Sequence, residues 1–168
     1  MAKIIVIEGT DGSGKETQSK KLEAHYITEG YKVKRYSFPV YESATGKIVG
    51  GPFLGKPEIM NTFFEETSSK VDPLVSSLYY AADRRYNFLK EIEADLEVQD
   101  IVILDRYTTS NMAHQGGKIL DKDERINMYQ WIDRLEYWLL GLPKPDITIF
   151  LHMPYEQSLE LKKNREFL

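Results

Sequence analysis

The 168-residue chain has no cysteine, no long hydrophobic run and no excess of basic residues. Without cysteine it forms neither disulfides nor thiolate metal sites. Its first apolar run, residues 4–7, is too short for a signal peptide or a membrane span. The net charge of -4 disfavours a protein that coats nucleic acid or an anionic membrane. These absences predict a cytoplasmic protein with neither kind of partner.

Short apolar runs alternate along the chain with longer segments of helical character. The predicted strands are the apolar runs at residues 4–7, 101–104 and 147–151 and the alternating segment 32–38. The predicted helices are residues 15–29, 72–97, 122–140 and 154–163, with short helices between 41 and 69. Asp72 followed by Pro73 favours a helix start, as N-cap and first helical residue. The alternation predicts one α/β domain over residues 1–168, a three-layer fold with a parallel β-sheet flanked by helices.

A glycine-rich loop with the spacing G-x-x-x-x-G-K follows the first predicted strand. Its glycines allow backbone N–H groups to converge on one anion, and the following helix adds its N-terminal dipole. Lys15 would reach the β- and γ-phosphates of a nucleotide. A plain structural turn is the alternative, but a strand before the loop and a helix after it favour phosphate binding. The predicted ATP-binding residues are Gly9, Thr10, Asp11, Gly12, Ser13, Gly14, Lys15, Glu16 and Thr17.

The predicted metal site departs from the usual pattern at position 16. A Ser or Thr hydroxyl normally touches Mg²⁺ there, and this chain has Glu16. We expect Glu16 to face outward, because a carboxylate pointing inward would repel phosphate. Asp105, at the carboxyl end of the third strand, is then the predicted Mg²⁺ ligand, directly or through water, or else a helix cap. Arg106 would bind a second phosphate or form a salt bridge.

Five further segments of the chain match a set of sequence motifs in order. Residues 105–116 fit D-R-Y-x-x-S-x-x-A-[YF]-Q-G except at His114, and residues 8–18 fit E-G-x-D-G-x-G-K-x-T-Q. Residues 81–84 fit A-x-[DN]-R, and the F-P at 38–39 and G-L-P-K-P-D at 141–146 also match. Together these segments resemble the motifs of the thymidylate kinases, a family of P-loop nucleoside monophosphate kinases, and the resemblance covers nearly the whole chain.

The resemblance implies transfer of the terminal phosphate of ATP to dTMP, with Mg²⁺ as cofactor. The implied catalytic residues are Asp11, Lys15, Asp105 and Arg106. The implied dTMP-binding residues are Asp11, Phe38, Tyr80, Arg84, Arg106, Ser110, Asn111 and His114. Arg84 would bind the thymine ring and Tyr80 would stack on it, although core packing is the alternative for Tyr80. The resemblance also implies a homodimer packed through helices, either the one from 72 or the one from 122. Covering the sheet is the alternative for both helices.

Two substitutions and the end of the chain depart from the family pattern. Val40 and Tyr41 occupy positions where members carry an arginine for the acceptor phosphate. Either the affinity for the acceptor is expected to be lower, or another cation such as Lys47 would substitute for the arginine. His114 replaces the Tyr or Phe that crowds the sugar 2′ position, with simple packing as its alternative.

Residues 162–165 resemble the approach to the family's arginine-bearing lid, so the C-terminal part of the fold is expected to be missing or shortened. These departures keep two alternatives open. One is a related kinase for another deoxynucleotide or nucleoside, and the other is a nucleotide-binding relative without catalysis.

Overall fold

The computed structural model describes residues 1–154 and 156–158. The strands are β1 (Lys3–Gly9), β2 (Val33–Ser37), β3 (Ile101–Asp105) and β4 (Ile147–Leu151). The α-helices are α1 (Lys15–Thr28), α2 (Ala44–Ile48), α3 (Pro73–Asn87), α4 (Glu93–Val98), α5 (Thr108–Gly116) and α6 (Lys122–Asp133). All four predicted strands are present.

The sheet has the strand order β2-β3-β1-β4, and β1 pairs in parallel with both β3 and β4. The predicted parallel sheet flanked by helices is therefore confirmed. Apolar side chains of β1 and β3 form a buried cluster, on which Leu22 and Tyr26 of α1 pack. The members of that cluster are Ile5, Ile7, Ile101 and Ile103. Because β-branched residues suit a strand covered on both faces, the two central strands are the most apolar.

The chain groups into two compact units. Unit 1 contains residues 1–36, 95–106 and the described residues from 145 on, with β1, β3, β4 and α1. Unit 2 contains residues 37–94 and 107–144, with α2, α3, α5 and α6. The single domain over residues 1–168 stays a prediction.

The long helix predicted from residue 72 begins as expected. Asp72 is its N-cap, and the Asp72 carboxylate accepts hydrogen bonds from the N–H groups of Leu74 and Val75 at 2.9 and 3.0 Å. Regular α-geometry ends at Asn87, and a π-helical turn leads into α4. Two further π-helical turns, Val49–Phe53 and Arg134–Leu139, follow α2 and α6 in the same way. The predicted helical segments are thus present but are not α-helical throughout.

Helix α5 was not predicted. Its sequence contains Thr, Ser, Asn and Gly, which have low helix propensity. It forms where it packs against α3 and α6, so tertiary contacts outweigh propensity. Of the helix predicted over 154–163, residues 156–158 are helical, and residues 159–163 and the lid approach at 162–165 lie outside the described residues. Within the described chain, no helix is long and apolar enough to cross a membrane.

Candidate active site

The glycine-rich loop connects the carboxyl end of β1 to the first turn of α1, within unit 1. Gly14 has a φ of 83°, which L-residues with a side chain rarely adopt. A Cβ at Gly9 would lie only 2.5 Å from the Ser13 Oγ. The Ser13 N–H donates to the Thr10 carbonyl at 3.1 Å and closes the turn. Glycine is therefore required at both ends of the loop, once by φ and once by space.

Lys15 is buried inside this loop. Its side chain donates from Nζ to the Thr10 carbonyl at 2.7 Å, and the residue is only 7% exposed. Burial lowers the pKa of Lys15, as does Arg106, while Asp11, Asp105 and Glu8 raise it. The Ser13 Oγ nearby is buried without a hydrogen-bond partner among the described residues. A desolvated ammonium and an unpaired hydroxyl in one loop are groups that a phosphate oxygen would satisfy.

Asp105 and Arg106 lie at the carboxyl end of β3 in the same unit. Asp105 is buried, and burial raises the pKa of its carboxyl against the lowering effects of Lys15 and Arg106. Arg106 has a φ of 67°, a left-handed conformation that costs about 1–2 kcal/mol for a residue with a side chain. Its N–H donates to the Ile7 carbonyl at 3.0 Å, and its guanidinium forms an ion pair with Asp11. The four predicted catalytic residues thus come together, and the salt bridge considered for Arg106 is present.

Glu16 faces outward, as expected. Its carboxylate accepts from Lys20 Nζ at 2.6 Å one helical turn away, and its side chain is 62% exposed. Thr17 is also exposed. The described residues contain no group of three or more acidic or histidine side chains that would hold a metal. One carboxylate, Asp105, fits Mg²⁺ all the same, because this ion commonly takes its other ligands from phosphates and water.

The remaining predicted dTMP-binding residues lie in unit 2. They are Phe38, Tyr80, Arg84, Ser110, Asn111 and His114. Helix α3 carries Tyr80 and Arg84 one turn apart, and α5 carries Ser110, Asn111 and His114. Phe38, Arg84, Ser110 and Asn111 are buried, whereas His114 is exposed.

A pocket of about 460 Å³ lies beside these two helices in unit 2. Its wall includes Phe53, Tyr80, His114 and Gln115. Tyr80 is half-buried and packs edge-on against Phe53, with 5.7 Å between ring centroids. Both roles considered for Tyr80, core packing and lining a ligand site, are compatible with this position. The volume is within the ordinary range for small-molecule sites.

Glu136 is a site residue that the sequence analysis missed. It is completely buried, and its carboxylate accepts hydrogen bonds from Arg84 and Asn111. The sequence holds one signal for it, a single glutamate within the apolar and aromatic stretch at residues 135–140. A buried carboxylate requires a cationic or donor partner, but the sequence does not say which.

The loop after Phe38 is held by a second buried carboxylate in unit 2. Asp83 is 1% exposed, and its Oδ2 accepts from the N–H of Val40 at 3.0 Å. The predicted substitute cation, Lys47, is exposed on α2. A different cation, Lys56, places its Nζ 4.3 Å from the centre of the Tyr41 ring. The sequence analysis did not identify Lys56.

Comparison with known proteins agrees with these motifs. The family model described as thymidylate kinase matches residues 7–167. The probable thymidylate kinase of Thermococcus kodakarensis is 32% identical over 164 residues, covering 96% of this chain and 72% of the relative. The thymidylate kinase of Mycobacterium tuberculosis is 30% identical over 167 residues, covering 96% of this chain and 71% of the relative.

Solved structures give the same result. The crystal structure of thymidylate kinase from Ehrlichia chaffeensis matches with a TM-score of 0.64 at 30% identity, covering 99% of this chain and 85% of that one. The thymidylate kinase of Candida albicans matches with a TM-score of 0.64 at 28% identity, covering 95% of this chain and 66% of that one. The family match over most of the chain and the fold agree, and the chain belongs to the thymidylate kinase family.

Proposed function

We propose that the protein transfers the terminal phosphate of ATP to dTMP, giving ADP and dTDP. The observation that carries the proposal is the cluster in unit 1 of Lys15, Asp11, Asp105 and Arg106 around a glycine-rich loop. Two cations beside acidic groups suit a reaction in which negative charge is held and moved between phosphates. Family membership adds the identity of both nucleotides.

The loop N–H groups and Lys15 bind the β- and γ-phosphates of ATP in this proposal. The dipole of α1, which begins at Lys15, favours the same negative charge. Asp105 would hold Mg²⁺, directly or through water. Bound Mg²⁺ would supply positive charge to the phosphate oxygens.

The acceptor is dTMP, whose phosphate is itself the nucleophile. One of its oxygens attacks the γ-phosphorus of ATP, the bond from that phosphorus to the bridging β–γ oxygen breaks, and ADP leaves. The enzyme forms no covalent intermediate, so its residues act by positioning and by neutralising charge. Arg106 would bind the acceptor phosphate, with Asp11 between the two nucleotides. Phe38, Tyr80, Arg84, Ser110, Asn111 and His114 would bind the nucleoside.

Lys15→Ala tests the role of the loop. We expect kcat to fall by about 100-fold or more, because one preorganised charge on the transferring phosphate is lost. The fold should persist, since burial makes the Lys15 ammonium costly rather than stabilising. Turnover is measured by coupled ADP release, and folding by circular dichroism.

The matched control for Lys15→Ala is Lys20→Ala, a surface lysine on the same helix whose partner is Glu16. Its turnover should stay close to that of the wild type. Full turnover in the Lys15 variant would contradict the assignment of the loop.

The choice of acceptor is tested by ADP release with dTMP, dUMP, dGMP, dCMP and thymidine in parallel. The departures from the family pattern at Val40 and His114 are the reason for including the other acceptors. If dTMP is not the best acceptor, a related kinase for another acceptor replaces the proposal. ATP binding with no acceptor-dependent ADP release would indicate a relative without catalysis.

We further propose that the protein is a homodimer, packed through α3. An apolar groove of about 400 Å³ in unit 2 is lined by Thr45, Ile48, Val75, Leu78, Tyr79 and Ala82. Leu78 is 50% exposed and Ile48 is 46% exposed, so this face offers apolar surface for a second copy to cover. The cytoplasmic location stays a prediction.

A further inference from the structure

Glu136 contacts two side chains of unit 2, Arg84 and Asn111, that would bind the base of dTMP. The residue is 0% exposed and lies in the π-helical turn after α6. Its carboxylate accepts from both Nε and Nη2 of Arg84, the second at 2.6 Å, and from Nδ2 of Asn111 at 2.9 Å. One buried carboxylate therefore holds two of the side chains that the family resemblance assigns to the base of dTMP.

Arg84 and Glu136 form an ion pair in which both side chains are buried. Burial by itself would lower the pKa of Arg84, but the charge and hydrogen bond of Glu136 outweigh it and the pKa is raised. A guanidinium has five N–H donors, of which Glu136 takes two. The pair thus fixes the plane of the guanidinium while leaving donors for a ligand carbonyl.

The same carboxylate determines how the amide of Asn111 is turned. Asn111 Nδ2 faces Glu136 and, at 3.3 Å, the carbonyl of Ser77. Both of these neighbours are acceptors only, so the NH₂ group must point toward them and Oδ1 must point away. In the described structure Oδ1 is buried with no hydrogen-bond partner. A buried acceptor of this kind is costly until a donor reaches it.

Arg84 and Asn111 each lie one helical turn from residues that line the pocket of about 460 Å³. Asn111 is followed on α5 by His114 and Gln115, which are in the pocket wall. Arg84 follows Tyr80, a third wall residue, by four positions on α3. Residues three or four apart share a helix face, so Arg84 and Asn111 lie on the same helix faces as wall residues of this pocket.

We propose that Glu136 is a positioning residue. By holding Arg84 and Asn111, it makes the pocket select a base that presents a hydrogen-bond acceptor beside a donor, as thymine does, over a base in which the donor and the acceptor are exchanged. Thymine presents the O4 carbonyl next to an N3–H, which matches the Arg84 donors and the Asn111 Oδ1. Cytosine presents an amino group next to an unprotonated N3, which mismatches at both atoms. This inference rests on the proposed function, because it assumes that dTMP is the acceptor.

Glu136→Gln tests the proposal with little change of shape. The neutral amide offers one acceptor oxygen and an NH₂ group, so it fails to hold Arg84 in place and allows the Asn111 amide to turn over. We expect the ratio of kcat/KM for dTMP to that for dCMP to fall by at least about tenfold, because a polar site rejects a mismatched base by leaving groups unpaired. Most of the loss should be a higher KM for dTMP. The ratio does not depend on how much of the preparation is active.

Ile132→Val is the matched control, since Ile132 is a fully buried apolar residue of α6. It should lower the melting temperature and leave the dTMP to dCMP ratio unchanged. If Glu136→Gln does not fold, the ratio is measured on Glu136→Asp, which keeps the charge but shortens the side chain by one methylene. The expected result is again a reduced ratio.

Equal losses for dTMP and dCMP in a folded Glu136 variant would overturn the proposal and leave Glu136 a structural residue. That outcome is distinct from a failure of the proposed function. If the wild-type protein itself shows no preference for dTMP over dCMP, the assignment of dTMP fails first, and the role of Glu136 fails with it.

Discussion

Lys15 and Arg84 are both buried cations, but the protein compensates their charges differently. Lys15 donates to a backbone carbonyl, and burial lowers its pKa. Arg84 is neutralised by the carboxylate of Glu136, which raises its pKa. Since an ammonium that burial destabilises gains more from an incoming anion than a paired guanidinium does, Lys15 is suited to bind phosphate. Arg84, already paired, is suited to hold a fixed orientation toward a neutral group.

The burial of Asp105 is expected to affect the stability of the protein as well as its turnover. Burial raises the pKa of Asp105 above the ordinary value of 3.8. Below pH 3.8 the protonated carboxyl suits its buried position, and that contribution is lost as the pH rises through the folded-state pKa. Asp105→Asn is neutral throughout, so its melting temperature should exceed that of the wild type at pH 7. The difference should shrink toward zero near pH 3.8, as followed by thermal unfolding between pH 4 and 7.

Asp146→Asn is the control of opposite sign for that experiment. Hydrogen bonds from Lys3 and from the N–H of Ile4 lower the pKa of Asp146. Its ionised form therefore stabilises the fold above the unfolded-state pKa, and the contribution is lost as the pH falls through the folded-state pKa. Asp146→Asn should melt below the wild type at pH 7. The assignment for Asp105 is wrong if both variants shift in the same direction.

The sequence was sufficient to place Lys15 at the start of α1 and Asp105 and Arg106 at the end of β3, because short local patterns define these positions. Their roles stay predictions. Glu136 and Asp83 could not be predicted in the same way. The main partner of Glu136 is Arg84, 52 residues away in the chain. The local sequence shows that a carboxylate is present, but only the fold determines which distant donor forms a hydrogen bond with it.

The helices show where local sequence is enough and where it is not. Helix α3 was predicted from Asp72 and Pro73, which supply a cap and a preformed first turn. Helix α5 was missed because Thr108, Ser110 and Asn111 have weak helix propensity and the helix depends on packing. The same three residues are buried and polar, so α5 carries hydrogen-bonding groups where most helices carry apolar ones.

The N-cap of α3 is expected to contribute measurably to the stability of the protein. Asp72→Ala removes the acceptor for two N–H groups, those of Leu74 and Val75. We expect the free energy of unfolding to fall by about 1 kcal/mol, measured by chemical denaturation. Asp72→Asn keeps an acceptor at the cap and should lose much less. An equal loss in both variants would show that the charge of Asp72, rather than its hydrogen bonds, stabilises the helix.

The sequence predicted the four strands of the sheet but not their order in it. The three apolar runs at residues 4–7, 101–104 and 147–151 resemble one another, so their sequences do not indicate which two strands lie in the centre. In the structure β1 and β3 are central and almost fully buried, whereas β4 lies at one edge of the described sheet. Ile147 and Phe150 of β4 are 53% and 62% exposed. An apolar pattern thus predicts a strand without predicting how far it is covered.

The proposed homodimer has two candidate interfaces, the face of α3 and the face of α6, and mutation distinguishes them. Leu78 lies in the apolar groove along α3, and Leu139 is 60% exposed in the turn after α6. Leu78→Lys should dissociate the dimer by placing a charge in the covered groove, whereas Leu139→Lys should not. Sedimentation velocity of the wild type and both variants at one concentration measures the change. Dissociation by Leu139→Lys alone would assign the interface to the α6 side, and a monomeric wild type would exclude the homodimer.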